Sequence, residues 1–241
     1  MKAILQHELR SYFTTPMGYV FLIMYTLLAG VVAVFVNIGQ EMSASANLLL
    51  SGMQLPFMLI APILTMRLFA EERRTKTEQL LLTAPVRVVS IVLGKAAACF
   101  AMLLIAMALT LVFPLVISRY AQVSAVQVAT TYLGYFLLDM AMLSAGILVS
   151  SLCVNQVTAA VITLGVNVFL YLSEHFIVPQ LSGSYLAGIR MVMQWLPSAE
   201  RLGEFANGVI SPADVCYFLG FTALALFLTC RAIEARRHAK G

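Results

Sequence analysis

Charged clusters in this chain are separated by long stretches that contain no Asp, Glu, Lys, Arg or His. These stretches cover 11–40, 42–66, 96–118, 120–138, 140–173 and 215–230. An α-helix rises ~1.5 Å per residue, so crossing the ~30 Å hydrocarbon layer takes about 20 apolar residues. The first three stretches predict one span each, over 17–38, 48–66 and 96–117. The fourth and fifth are interrupted by Asp139 alone and together are too long for one helix. Ser150, Ser151, Asn155 and Gln156 form a polar break, which predicts spans over 128–150 and 157–173. A last span is expected over 213–231. The fold class is therefore all-α integral membrane, with six transmembrane helices in a single domain, 1–241.

Three segments between the spans have their own character. Residues 1–14 predict an amphipathic helix. Leu5, Leu9, Tyr12 and Phe13 share one face and Lys2, Gln6 and Arg10 another, with Pro16 and Gly18 as the break before the first span. Such a helix, 1–15, lies in the membrane interface. Segment 67–95 is the main charged loop. Glu72 to Lys76 and Arg74 to Glu78 are spaced for i,i+4 pairing on a helix, Leu80, Leu81 and Leu82 follow, and Pro85 ends it. The Leu triplet argues for burial against the bundle or another protein. Segment 174–212 is long for a loop. Pro179, Gly183, Gly188 and Arg190 make it a poor span, so it reads as short re-entrant or interfacial helices, with Trp195 at headgroup level.

Composition narrows the class. Of 241 residues 61% are hydrophobic and only 11% charged, against a charged share of about 25% in soluble domains. That excludes a soluble enzyme, a disordered chain and a nucleic-acid reader. Six spans put both termini on one side. Of the 15 Lys and Arg residues only Arg119, Arg190 and Arg201 then fall on the other side, so the positive-inside rule places both termini in the cytoplasm. The first apolar stretch is longer than a signal-peptide core and no small-residue cleavage site follows, so it reads as a retained anchor.

Tests for chemistry are mostly negative. His7-Glu8 begins like a zinc-protease motif, but position 11 is Ser. Gly94-Lys95 resembles the end of a phosphate-binding loop, but position 89 is Val and position 96 is Ala, so no P-loop is present. Cys99, Cys153, Cys216 and Cys230 form no paired motif. No catalytic or metal constellation is expected. Asp139 is the one acidic residue within a span. It reads either as a functional carboxylate, such as a proton relay or substrate contact, or as hydrogen-bonding glue between helices.

The charged loop carries a family resemblance. Phe69-Ala-Glu-Glu-Arg-Arg-Thr-Lys-Thr-Glu-Gln-Leu-Leu-Leu-Thr-Ala-Pro-Val86, followed by Ile91-Val-Leu-Gly-Lys95, resembles the first cytoplasmic loop of ABC-2 type transporter permeases. Where that family has Gly-Thr-Leu-Glu, this chain has Lys76-Thr77-Glu78-Gln79. The C-terminal stretch from Arg201 to Arg237, with Phe205, Asp214 and Tyr217, is similar to the gliding-motility-associated branch. So are Glu8-Leu-Arg-Ser-Tyr-Phe13 and Pro16-Met-Gly-Tyr19.

The resemblance implies a permease subunit without catalysis of its own, in a bacterial cytoplasmic (inner) membrane. The loop would hold a coupling helix that docks on an ATPase, with Phe69, Glu71, Glu72, Arg73, Thr75, Thr77 and Leu81 as the contact. Two ABC ATPase subunits would carry ATP and Mg. A second permease copy, identical or closely related, would complete the pore, with an extracytoplasmic accessory subunit as a further partner. Two other readings stay open: a secondary transporter using Asp139, and a non-transporting scaffold of a motility or envelope complex.

Overall fold

A computed structural model describes residues 2–39, 46–75, 87–119, 124–173 and 196–239. Among them every regular element is helical. The helices are α1 (Lys2–Thr14), α2 (Pro16–Gly39), α3 (Ala46–Thr65), α4 (Ala70–Arg74) and α5 (Val88–Thr110). They continue with α6 (Val112–Ile117), α7 (Ala125–Leu152), α8 (Gln156–Leu172), a 3-10 turn (Ala199–Leu202), α9 (Gly203–Ala206) and α10 (Pro212–Ala239).

Among the described residues five helical stretches are long and apolar enough to cross a membrane: Pro16–Phe35, Leu49–Arg74, Val88–Ile117, Ala125–Leu152 and Pro212–Arg236. The sixth expected span is the 17-residue α8. At ~1.5 Å per residue it reaches about 25 Å, just under the hydrocarbon thickness.

Local chemistry explains most boundaries. Thr15 alone separates α1 from α2, and Pro16 opens α2 at a position whose N–H needs no helical partner. Gly18, expected to help break the chain, instead lies inside α2. A Cβ there would collide with the Tyr12 carbonyl oxygen, so glycine lets α1 fold tightly back on α2. The polar break in the long apolar run appears as expected between α7 and α8. Asn155 caps α8 by accepting a hydrogen bond from the Val157 amide at 3.1 Å.

Three boundaries differ from the charge-gap reading; one is the last helix, α10, which runs to Ala239 rather than ending at 231. The third span begins at Val88 rather than 96, so Lys95 sits two turns inside α5 and is only 2% exposed. The charge-gap rule fails here because a lysine with carboxylate partners can be buried. The helix expected in the charged loop is described only as α4, since residues 76–86 lie outside the described residues, Thr77 and Leu81 among them. Of the 174–212 segment, 174–195 including Trp195 likewise lie outside them. Its described end forms the 3-10 turn and α9.

α7 is the central helix. It packs against α3, α5, α8, α9 and α10, while α1 lies along α5 and α2. The core at its heart includes Tyr25, Phe57, Met102, Leu103, Leu138 and Met142, each almost wholly buried. The outer surface carries Ile23, Leu27, Phe35, Leu104, Leu115 and Phe227 in the open. That apolar belt suits hydrocarbon rather than water. Alternating helix directions gather two ends. At the charged end lie the close of α1, α3 and α7, all of α4 and the start of α5. At the opposite end lie the start of α7, α9 and the start of α10.

Candidate functional site

The charged end concentrates the polar chemistry. Lys95 of α5 donates to Glu8 Oε1 at 2.7 Å and to Glu72 Oε1 at 2.8 Å. Its Nζ also lies 5.3 Å from the centre of the Phe69 ring. One buried cation thus joins α1, α4 and α5. A lone ammonium is very costly to bury, so two carboxylates and an aromatic face are what make the position tenable.

The turn between α3 and α4 is held from several sides. Tyr12 donates its hydroxyl to the Leu64 carbonyl at 2.9 Å. Burial pushes that phenol well above its ordinary pKa, with the Cys99 thiol and Glu8 adding to the shift and Arg67 opposing it, so it remains a neutral donor. Ser150 Oγ accepts from the amides of Phe69 and Ala70 at 3.3 and 3.4 Å and donates to the Met66 carbonyl at 3.3 Å. Arg73 donates to the carbonyls of Leu152 and Cys153, both at 3.0 Å. These carbonyls end α7, where a cation also complements the helix dipole. Arg67 pairs with Glu71 at 2.6 Å and reaches Thr15 Oγ1 at 3.1 Å.

An open cleft of about 410 Å³ lies within this cluster. It brings the carboxylates of Glu8, Glu71 and Glu72 beside Arg67 and Lys95, with Tyr12 at its wall. No group of His, Cys, Asp and Glu among the described residues could hold a metal ion.

Of the residues singled out from the sequence, Phe69, Glu71, Glu72, Arg73 and Thr75 come together at this end. Their roles divide. Phe69 is buried beside Lys95, while Glu72 pairs with Lys95 and Arg73 with the end of α7. The expected i,i+4 pairing of Glu72 with Lys76 involves a residue outside the described ones; among the described residues Glu72 meets the distant Lys95. Glu71 pairs with Arg67 and stays one-third exposed, and Thr75 is exposed. Lys95, Glu8, Tyr12 and Ser150 hold the segment in place, although the sequence pointed to them only for other reasons and not as members of this site. The available signal was a solitary lysine followed directly by a long apolar run.

Asp139 is elsewhere, in α7, and is 5% exposed. It faces Tyr25, Gln54, Phe57 and Tyr135 across a gap without a water-sized void, and it forms no ion pair among the described residues. The Gln54 Nε2 in the same setting has no hydrogen-bond partner among the described residues. The charged cluster and Asp139 are separate features of the bundle.

The apolar belt, the long helices and the polar cluster at one end define a multi-pass membrane protein. Residues 23–199, well over half of the chain, match the model of the ABC-2 family transporter protein. The chain belongs to that family. Against individual curated proteins it has no match.

Proposed function

We propose that this chain is the membrane-spanning permease subunit of an ATP-driven ABC-2 type transporter, with the segment after α3 receiving the motion of a partner ATPase. In this reading the chain crosses the membrane six times, α8 being the short fifth span, and both termini lie in the cytoplasm of a bacterial inner membrane. Two ATPase subunits carry ATP and Mg, and a second permease copy faces the first across the pore. The end segments 8–19 and 201–237 favour the gliding-motility-type branch, in which an extracytoplasmic accessory subunit is a further partner.

One observation carries this reading. The stretch 64–73 is joined to α1 through Tyr12, to α5 through Lys95 and to α7 through Ser150 and Arg73. A displacement of the loop that follows would be passed to three helices at once. A ligand step drives a conformational change only through contacts that differ between states, and this node supplies groups that can repartner. Because Phe69, Glu72 and Arg73 are engaged with α5 and α7, the ATPase contact falls to the exposed Thr75, continued by Thr77 and Leu81, with Glu71 beside it at the cleft in its pair with Arg67.

The test is purification in mild detergent from the native host, with bound proteins identified by mass spectrometry and assayed for ATP hydrolysis. An ATPase should accompany the wild type and be lost from a chain carrying Thr75→Asp, Thr77→Asp and Leu81→Asp. Wild type without an ATPase, or a variant that retains it, overturns the proposal. Transport that continues without an ATPase and stops in Asp139→Asn would establish the secondary-transporter reading instead.

A further inference from the structure

A second concave feature lies away from the charged cluster. α5 and α10 diverge on the lipid-facing surface and leave a groove of about 460 Å³. Leu93 and Phe100 form one wall and Ala223 and Phe227 the other, with Met140 of α7 and Leu226 at the floor. That volume is in the size class of a small-molecule site. Its charged groups gather at one place, while Thr222 deeper in the groove has its hydroxyl bonded to the Phe218 carbonyl. Arg231 and Glu234 stand at the mouth, at the charged end of the bundle.

The dimensions are informative. Along α5 the groove runs from Val89 to Phe100, about 16 Å at ~1.5 Å per residue. That is about half of the ~30 Å hydrocarbon layer, so the groove is as deep as one leaflet and opens at that leaflet's headgroups. Arg231 is 68% exposed and its nearest carboxylate contact, Glu234, is long at 3.5 Å. A guanidinium has five donors, so most of its hydrogen-bonding capacity remains for an oxyanion. The guanidinium also lies 5.9 Å from the Phe227 ring, which aims it along the groove.

We propose that this groove is a binding site for one phospholipid with an amine-bearing headgroup. One acyl chain lies between α5 and α10, the phosphate sits on Arg231 and the ammonium on Glu234. The opposite charges at the mouth match the opposite charges of that headgroup, and planar recognition of phosphate is what arginine does best. A second copy of the chain would match the apolar walls, but nothing in it would call for a cation and an anion at a groove one leaflet deep. The site requires only that the charged end lie at a membrane surface, so it is independent of the transport reading.

The experiment uses the full chain, purified in detergent and stripped of lipid, titrated with dioleoylphosphatidylethanolamine and observed by native mass spectrometry. One adduct per chain is expected. Dioleoylglycerol, which lacks the headgroup, should bind roughly tenfold more weakly. Arg231→Ala should erase that difference, and Ala223→Trp, which fills the groove from an exposed position, should abolish the adduct. Leu109→Trp, on lipid-facing surface outside the groove, should change nothing. Equal binding of the two lipids by the wild type overturns the role of Arg231. An adduct that survives Ala223→Trp means ordinary lipid contact and overturns the site. A wild-type dimer that Ala223→Trp converts to monomer, with lipid binding unchanged, makes the groove a seam between copies and also overturns it.

Discussion

Each end of the bundle has a cation that bridges elements, and the two are built differently. At the charged end Lys95 is 2% exposed and held by two carboxylates on two other helices. At the opposite end Arg201 is 37% exposed. It meets Asp214 at 3.4 Å and stacks over the Tyr217 ring at 4.0 Å. Lys95 has given up water and depends on its partners, whereas Arg201 keeps water as an alternative. The first arrangement makes the position of three elements interdependent. The second tethers the turn before α9 to the start of α10 without committing either.

The glycines repeat the contrast. At the charged end Gly18 lies against the backbone carbonyl of Tyr12, which cannot yield without moving α1. At the opposite end Gly134 lies against the side chains of Phe205 and Leu202, at 2.9 and 3.0 Å from an added Cβ. Side chains can shift by tenths of an ångström more easily than a helix can. The 3-10 turn and α9 therefore have more freedom against α7 than α1 has against α2. Thr130, which donates to the Phe205 carbonyl at 2.7 Å, still holds α9 in register.

The largest expected effect is at Lys95. Lys95→Met leaves two carboxylates without their shared cation, a loss of about 3 kcal/mol, at the low end for a buried pair because both carboxylates keep some water contact. Thermal unfolding in detergent should show a clear fall in Tm. Adding Glu8→Gln and Glu72→Gln to that variant should recover most of it; no recovery would mean that Lys95 acts through packing of its stem.

Next comes the pair of glycines. Gly18→Ala should cost about 2 kcal/mol and Gly134→Ala about 1 kcal/mol, within the range for overpacking. The order of the two Tm values is the measurement, and a reversed order would break the contrast between a backbone wall and a side-chain wall. The smallest effect is Arg201→Ala, at about 1 kcal/mol or less, since its ion pair is partly exposed and its ring contact is modest. High salt should shrink this difference further. A loss matching that of Lys95→Met would show that the two ends are built alike after all.

Much of the fold was legible beforehand because membrane spans are specified by local properties. The apolar runs that predicted 17–38 and 48–66 became α2 and α3, and the polar break at 150–156 became the turn capped by Asn155. A large boundary error, at the start of α5, arose from Lys95, which a charge-gap rule must place outside the hydrocarbon. The same residue explains why the candidate site was only half legible. Segment 67–75 stood out by its density of charge, but density does not reveal which charges turn inward. Ser150 looked like part of a polar turn. Only in the folded bundle does it receive two amides from the α3–α4 connection.

The sequence by itself determined the all-helical class, the placement of most spans and which end carries the charge. Each follows from matching the length of an apolar run to the thickness of a bilayer, and from the cost of leaving a charge inside it. The tertiary structure decided the partnerships. Lys95 meets Glu8 across 87 residues of chain and Glu72 across 23, and the groove between α5 and α10 exists only where two helices distant in sequence diverge. Ion pairing and burial depend on separation in space, which a closed bundle sets and a linear spacing does not.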